Sequence, residues 1–387
     1  MRVRIGLERL LDSPILDGRR VGLVSNPASV DGRLRHAADR LATHPGTRLA
    51  ALFGPQHGFR SDVQDNMIET GHGEDRIRRV PVHSLYSETR EPTAAMLDGL
   101  DVLVIDLQDV GSRIYTFIYT MANCLIGARK HGVKAIVCDR PNPIGGVGVE
   151  GPMLVHGFES FVGQYPLPMR HGLTIGELAN LFNTEFGIGA DLEVIPMDGW
   201  RRDQYYDATG LPWVMPSPNM PTLDTAIVYP GAVLFEGTNV SEGRGTTRPF
   251  ELVGAPWVTA ERFADAMNRL DLPGAFFRPA VFEPTFQKHA RETCGGCQVH
   301  VLDRQAFRPV ETGVALIAAF LASGPDAFRW REPPYEYEHV KLPIDILAGS
   351  SELREQIERA VPAREIARSW EPAVEAFGRL RARYLLY

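Results

Sequence analysis

Residues 101–143 read DVLVIDLQDVGSRIYTFIYTMANCLIGARKHGVKAIVCDRPNP. The runs DVLVIDLQD (101–109) and KAIVCDRPNP (134–143) are continuous, β-branched and bounded by turn residues. That pattern marks strands buried on both faces of a parallel sheet. Between them RIYTFIYTMANCLIGARKHG has apolar residues at helical spacing and ends at Lys130, His131 and Gly132, which suit a helix C-terminus. Strand, helix and strand in that order make a βαβ unit, and the unit sets the fold class.

The same alternation extends outward. RVGLVSN (20–26), RLAALFG (48–54), VPVHSLY (80–86) and ADLEVIPM (190–197) are further expected strands. GRLRHAADRLATH, PTAAMLDG and LTIGELANLFNTEFG (173–187) are expected helices, the last capped by Thr174 with Glu177 three residues on. The fold class is α/β, a doubly wound parallel sheet. A Pro-rich stretch of little periodicity then runs over 210–257, and its aromatic and aliphatic residues suit a functional surface better than a linker. Strand and helix patterns that follow it form an α+β arrangement. The expected division is 1–229 for the α/β domain and 230–387 for a smaller C-terminal domain.

Composition narrows the function. The chain has 387 residues, enough for about two domains. Its net charge is −7 and no block of Lys and Arg occurs, which argues against a nucleic-acid partner. No apolar run of about 18 residues is present, so no membrane span is expected. The first residues, MRVRIGLERLLDSPI, lack the uninterrupted apolar core of a signal peptide, and a cytoplasmic location is the expectation. Four cysteines are too few for a disulfide framework. Cys294 and Cys297 lack a second Cys or His pair and read as structural thiols.

Each expected strand ends in polar residues: SNP (25–27), GPQHGFR (54–60), DLQDVGSR (106–113) and DRPNP (139–143). In an open α/β sheet such ends converge on one rim, where ligands bind. No G-x-G-x-x-G or P-loop follows the first strand, so no nucleotide cofactor is expected. His57, His72 and His83 show no metal-ligand spacing, and no metal is expected. No nucleophile elbow is present. Carboxylates, amides and Arg beside aromatics suit a carbohydrate: hydroxyls need polar partners, sugar faces need rings, and glycosidic cleavage needs paired carboxyl groups.

The motifs GLVSNPASVD (22–31), LFGPQHGFR (52–60), DLQDVGSRIYTFIYTM (106–121), DRPNPIGG (139–146), EGP (150–152), PMRHGLTIGELA (168–179), PSPNMPTLDTAIVYPG (216–231) and FEGTNVSEGRGTTRPFELVGAPW (235–257) carry a resemblance. PPYEYE (333–338) and PIDILAG (343–349) extend it over nearly the whole chain. The sequence resembles the exo-β-N-acetylmuramidase family. The resemblance implies a Rossmann-like N-terminal domain, a smaller C-terminal domain and a cleft between them. It also implies release of terminal N-acetylmuramic acid from the non-reducing end of peptidoglycan fragments. At one position the chain departs from the family pattern: Gln56 stands where the resemblance implies a catalytic Glu. Either another carboxyl supplies the acid, with Glu69 on the same loop as a candidate, or this branch acts on another acidic amino-sugar glycoside or only binds sugar.

The candidate catalytic groups are therefore Glu69, Asp106, Glu236 and His57, the last as hydrogen-bond donor or proton shuttle. Asp106 is expected to face the cleft, and Asp109 either to line it or to cap a helix beginning near Ser112. Arg60, Arg113, Arg140 and Arg244 are candidates to read the lactyl carboxylate of muramic acid through a planar guanidinium. Asn26 and Gln108 end strands. Asp139 and the rigid DRPNP turn aim Asn142. Glu150 lies on a Gly-rich loop, and Glu236 and Glu242 bracket GTNVSEGRG, which holds Asn239. Tyr115, Tyr119 and Trp257 are candidate stacking rings. Two mechanisms fit: a two-carboxylate hydrolysis, or attack by the substrate's own 2-acetamido group, which needs no enzyme nucleophile and is preferred.

Overall fold

A computed structural model describes residues 2–65 and 67–387. The strands expected in the first half form one sheet. In chain order they are β1 (Arg19–Ser25), β2 (Thr47–Gly54), β3 (Gly73–Asp75), β4 (Val80–Ser84), β5 (Val102–Asp106) and β6 (Lys134–Cys138). After the two-stranded antiparallel ribbon β7 (Glu150–Met153) and β8 (Pro168–Arg170), β9 (Leu192–Ile195) completes it. The spatial order is β3-β4-β2-β1-β5-β6-β9, parallel throughout except for β3. The strands' continuous apolar runs have the expected cause. Val21, Leu52, Val104 and Ile136 enter one core, while Val24, Phe53, Ile105 and Val137 enter the other. The two-residue side-chain period thus fills both faces.

A smaller C-terminal domain carries an antiparallel sheet, β10 (Leu252–Ala255), β11 (Ala275–Phe282) and β12 (Cys294–Val301), with β12 in the middle. Cys294 and Cys297 lie on β12, and all four cysteines are free and buried. The expected boundary at 229/230 falls inside a helix, Leu223–Ala232. The sequence there reads as irregular chain because Pro230 interrupts the helix. It forms because it crosses the helix Pro309–Ser323 at closest range. A Cβ on Gly231 would stand 1.8 Å from the Pro309 carbonyl oxygen, and one on Gly313 would stand 2.4 Å from the Gly231 oxygen. Only glycines let the two backbones touch there.

Two helices are shorter than their periodicity implies. The expected helix over 32–44 covers only Ala37–Ala42. Asp31 Oδ1 accepts from the Arg33 and Arg35 amides at 2.9 and 3.0 Å, a local turn that competes with helix. The helix expected near Ser112 begins at Phe117. Its approach is held as a loop by Arg113 N–H bonding the Met169 carbonyl on β8. No helix among the described residues is long and apolar enough to cross a membrane.

Candidate active site

Three segments distant in sequence meet at the carboxyl edge of the sheet. Gln56 and His57 follow β2, Tyr86 follows β4, and Thr116 precedes the helix Phe117–His131 that follows β5. The turn after β2 is tight: a Cβ on Gly54 would stand 2.4 Å from the Phe59 nitrogen. From the other side come Glu236, in the 3-10 turn Val233–Gly237 that ends the Leu223–Ala232 helix, Arg244, and the turn holding Tyr335 and Glu336. All of these except Tyr86, which bonds Glu336 from behind, line a cleft whose space, open mouth included, is about 510 Å³.

Two carboxyl groups face this space in different surroundings. Glu336 is 3% exposed; Tyr86 donates to its Oε2 at 2.9 Å and Gln56 Nε2 to its Oε1 at 3.2 Å. Burial pushes its pKa up to about 7, and the charge of Glu236 adds to the rise. A proton is therefore held near neutrality on a group aimed at a ligand cleft. Glu236 accepts from Arg244 Nη2 at 2.7 Å and from the Tyr335 hydroxyl at 2.7 Å, both donors to a carboxylate. Glu242 stands behind Arg244, 3.8 Å from its Nε, and takes Lys288 Nζ at 2.7 Å. Burial raises the Glu242 pKa, but Lys288 and Arg244 outweigh it and hold the group below the usual carboxylate range.

Gln56 lies in this site, with its amide fixed. Thr116 Oγ1 donates to Gln56 Oε1 at 2.8 Å, so Nε2 must be the atom facing Glu336. His57 lines the cleft as a neutral imidazole, its pKa pushed down to about 4 by burial. Its Nδ1 lies 2.8 Å from the Val63 carbonyl, which can only accept. Nδ1 therefore carries the hydrogen and Nε2 is left as an acceptor. The proton-shuttle expectation at neutral pH gives way to that acceptor role. Tyr115 also lines the cleft, whereas Tyr119 is wholly buried and Trp257 lies outside the lining.

Most of the remaining candidates satisfy one another instead of a ligand. Asp106, expected to face the cleft, is fully buried and paired with Arg140 at 2.6 and 2.8 Å. Asn26 Nδ2 donates to the Gln108 and Pro216 carbonyls at 3.3 Å each, and Gln108 Nε2 to the Asp109 and Pro141 carbonyls at 2.7 and 3.0 Å. Asn142 bonds the Leu173 carbonyl and the Ile144 amide. Asp139 accepts from Thr174, Gly176 and Tyr387. Asp109 accepts the Gly111 amide at 2.7 Å and caps that turn, not a helix. The rim at β1, β5 and β6 is thus filled by polar side chains bonded mostly to each other or to main chain, with Gln108 Oε1 and Asp109 Oδ1 left without a partner among the described residues.

Arg113, expected to meet a carboxylate, is wholly buried and donates to the Leu347 and Ala348 carbonyls at 2.9 Å each, ending the helix Pro343–Ala348. Asn239 joins Ala327 and Arg329, and Glu150 accepts the Glu311 amide outside the cleft. Arg60 is exposed on a separate trough that also holds Glu69. Glu69 itself is exposed and is bonded by Tyr337 at 3.1 Å and Arg90 at 3.4 Å. It buttresses the Glu336 turn from outside.

Of the candidates named from the sequence, Gln56, His57, Tyr115, Glu236 and Arg244 line the cleft. Sequence reasoning missed Glu336, Tyr335 and Tyr86. PPYEYE, already part of the resemblance, was the available signal for two of them. Among the described residues no group of three or more His, Cys, Asp or Glu side chains could hold a metal ion.

Comparison with known proteins fits this arrangement. The family described as exo-beta-N-acetylmuramidase NamZ, N-terminal, matches residues 21–224, and its C-terminal counterpart matches 227–387. The peptidoglycan beta-N-acetylmuramidase NamZ of Bacillus subtilis (strain 168) is 45% identical over 388 residues, covering 100% of this chain and 92% of that protein. A crystal structure of a DUF1343 family protein from Bacteroides fragilis NCTC 9343 superposes with a TM-score of 0.89 at 37% identity, over 100% of this chain and 99% of that one. A second DUF1343 protein of the same organism gives 0.77 at 29% identity, with the same coverage.

Proposed function

The chain belongs to the NamZ exo-β-N-acetylmuramidase family, a glycosidase family, and from that premise we propose that it releases terminal N-acetylmuramic acid from the non-reducing end of peptidoglycan fragments, with Glu336 as the general acid. The observation that carries the assignment is the pair of unlike carboxyl groups in one cleft. Burial holds a proton on Glu336, while Glu236 lies between the Arg244 guanidinium and the Tyr335 hydroxyl. Environments that separate two carboxyl groups in this way separate acid from base roles.

In the proposed reaction Glu336 gives its proton to the glycosidic oxygen as that bond breaks. The substrate's 2-acetamido oxygen closes on the anomeric carbon, and Glu236 accepts the acetamido N–H and balances the charge that develops. Water then opens the cyclic intermediate, returning a proton to Glu336. Arg244, which lines the cleft, meets the lactyl carboxylate in this reaction. Gln56 orients Glu336 in place of the Glu that the resemblance implies, so its presence does not strip the site of acid chemistry. This disfavours the sugar-binding reading.

The test uses two leaving groups. Glu336→Gln should lower kcat/KM about 10²–10⁴-fold on an alkyl N-acetylmuramide. The loss should be far smaller on a nitrophenyl N-acetylmuramide, which needs no proton. Equal loss on both removes Glu336 from the acid role. No hydrolysis of either by the unaltered protein removes the function. An N-methylated acetamido substrate that turns over normally removes the acetamido step.

A further inference from the structure

A second recess, about 960 Å³, opens between the 144–150 loop, β8 and the segment near Arg304, and it shares no lining residue with the catalytic cleft. Arg170, Arg202, Arg304 and Arg308 line it. A neighbouring hollow of about 640 Å³ shares Val149, Glu150 and Arg308 with it and adds Arg364 and Arg368. We propose that this continuous groove binds a small polyanion bearing phosphate or carboxylate groups, gripped by Arg170 and Arg308.

Arg170 is the anchor. It is 7% exposed, yet among the described residues no carboxylate pairs with it. Its Nη2 donates to the Ile144 carbonyl at 2.6 Å and lies 3.5 Å from the Tyr205 hydroxyl, and its buried Nε has no partner. Arg308 is exposed, and its Nη1 bonds only main-chain carbonyls, those of Gln305 and Ala306 at 3.0 and 2.9 Å among them. The other two lining arginines already have partners: Arg202 bonds Glu177 at 2.7 Å and Arg304 bonds Asp207 at 2.6 Å. Arg381 adds a further guanidinium close by, again bonded to the carbonyls of Gly146 and Gly172.

A guanidinium withdrawn from water, as that of Arg170 is, with no carboxylate in ion-pair contact is costly, and its unused N–H groups suit an oxyanion. Glu150, the carboxyl group common to both hollows, is near enough for Arg170 and Arg308 to pull its pKa down, but burial outweighs them and pushes it up to about 7, so it offsets them with only part of a charge near neutrality. Asp203 at the edge pairs with Arg201 at 3.2 Å. Glu311 and Glu371 line the second hollow, so the groove sets six arginines against four carboxyl groups and its balance is positive.

The test is isothermal titration of the full chain at pH 7 and fixed ionic strength, with pyrophosphate and with citrate as probes. One saturable site is expected. Arg308→Ala, an exposed change, should weaken binding about tenfold or more while nitrophenyl N-acetylmuramide turnover stays at the unaltered level. Arg170→Lys keeps the charge, removes the fork and should weaken binding as well. Preference for pyrophosphate identifies a phosphate-bearing ligand, and preference for citrate a carboxylate-bearing one; both support the site. Absence of a saturable heat with either probe overturns it. So does binding that persists in folded Arg308→Ala protein, or binding that an N-acetylmuramide competes away.

Discussion

Glu336 combines two costly features. Its backbone is left-handed (φ 45°), as is that of Tyr337 next to it (φ 69°), and its side chain is buried with a raised pKa. Strain of this kind persists where surroundings over-determine it, and here Tyr86, Gln56 and the Met67 sulfur all hold the turn. The pH consequence has a definite sign. The folded pKa is about 7 against an ordinary 4.5, so the native state holds this proton more tightly than the unfolded chain. Stability is full below the ordinary value and falls as pH rises through that window. Above it the penalty is on the order of 3 kcal/mol. Glu336→Gln removes the penalty, and its polar partners can adapt: Gln56 still donates to the new carbonyl, and the Tyr86 hydroxyl can turn to accept from the new amide. The inactive variant should melt higher than the parent at pH 8 and not at pH 4.5 in calorimetry. A gain equal at both pH values would refute the raised pKa. Gln56→Glu makes the complementary test. A second carboxyl replaces an amide that lies 3.2 Å from Glu336, and the pair must share a proton. The alkaline limb of the kcat/KM profile should move up by about one pH unit or more, and an unmoved limb would separate Gln56 from the acid.

At the scale of elements, the helix Ile175–Glu185 shows what local sequence can specify. Thr174 and Glu177 form the expected capping box, with the Thr174 Oγ1 to Glu177 N–H distance 3.3 Å and the Glu177 Oε2 to Thr174 N–H distance 2.9 Å. The same Thr174 hydroxyl donates to buried Asp139 at 2.8 Å. Thr174→Ala should therefore lower stability by about 1–2 kcal/mol, at the upper end for a cap, read as a lower denaturant midpoint at unchanged slope. A shift within error would show that the cap and the Asp139 bond are replaced by water. The strands and this cap were legible because their causes are local: side-chain period, turn residues and a three-residue spacing. The helix Leu223–Ala232 was not, because its cause is a glycine contact with a helix some eighty residues on. The site divides along the same line. Gln56 and Glu236 stood out as polar residues beside apolar runs. Asp106 and Arg140 did so equally, and only the fold distinguishes a pair that bonds itself from one left open to a ligand. Glu336 stayed hidden because its meaning depends on Tyr86, 250 residues away in the chain.

At the scale of the molecule, two family segments need not make two independent folding units. The larger core takes Ile105 and Val137 from the first segment and Phe235, Val314 and Trp370 from the second in one packed cluster. The C-terminal residues return to the first sheet. The Tyr387 hydroxyl donates to Asp139 at 2.6 Å and accepts the Met197 amide at 2.6 Å, while Leu386 N–H bonds Glu177 at 2.8 Å. Cores that merge in this way unfold together, so calorimetry should show one transition, and two separated transitions would contradict the shared core. Tyr387→Phe sharpens the point. It leaves a buried acid without one of its donors, a change worth about 1–3 kcal/mol. Asp139 already has its pKa pushed up to about 6 by burial, with the Tyr387 hydroxyl pulling it down. Losing that donor raises it further, so the variant's deficit should be larger at pH 8, where the acid must ionise, than at pH 4. Because Asp139 sits behind the sheet's carboxyl edge, the whole transition should shift down intact. A shoulder confined to part of the heat absorption would mean that the C-terminal segment detaches by itself and that the two halves are held together elsewhere.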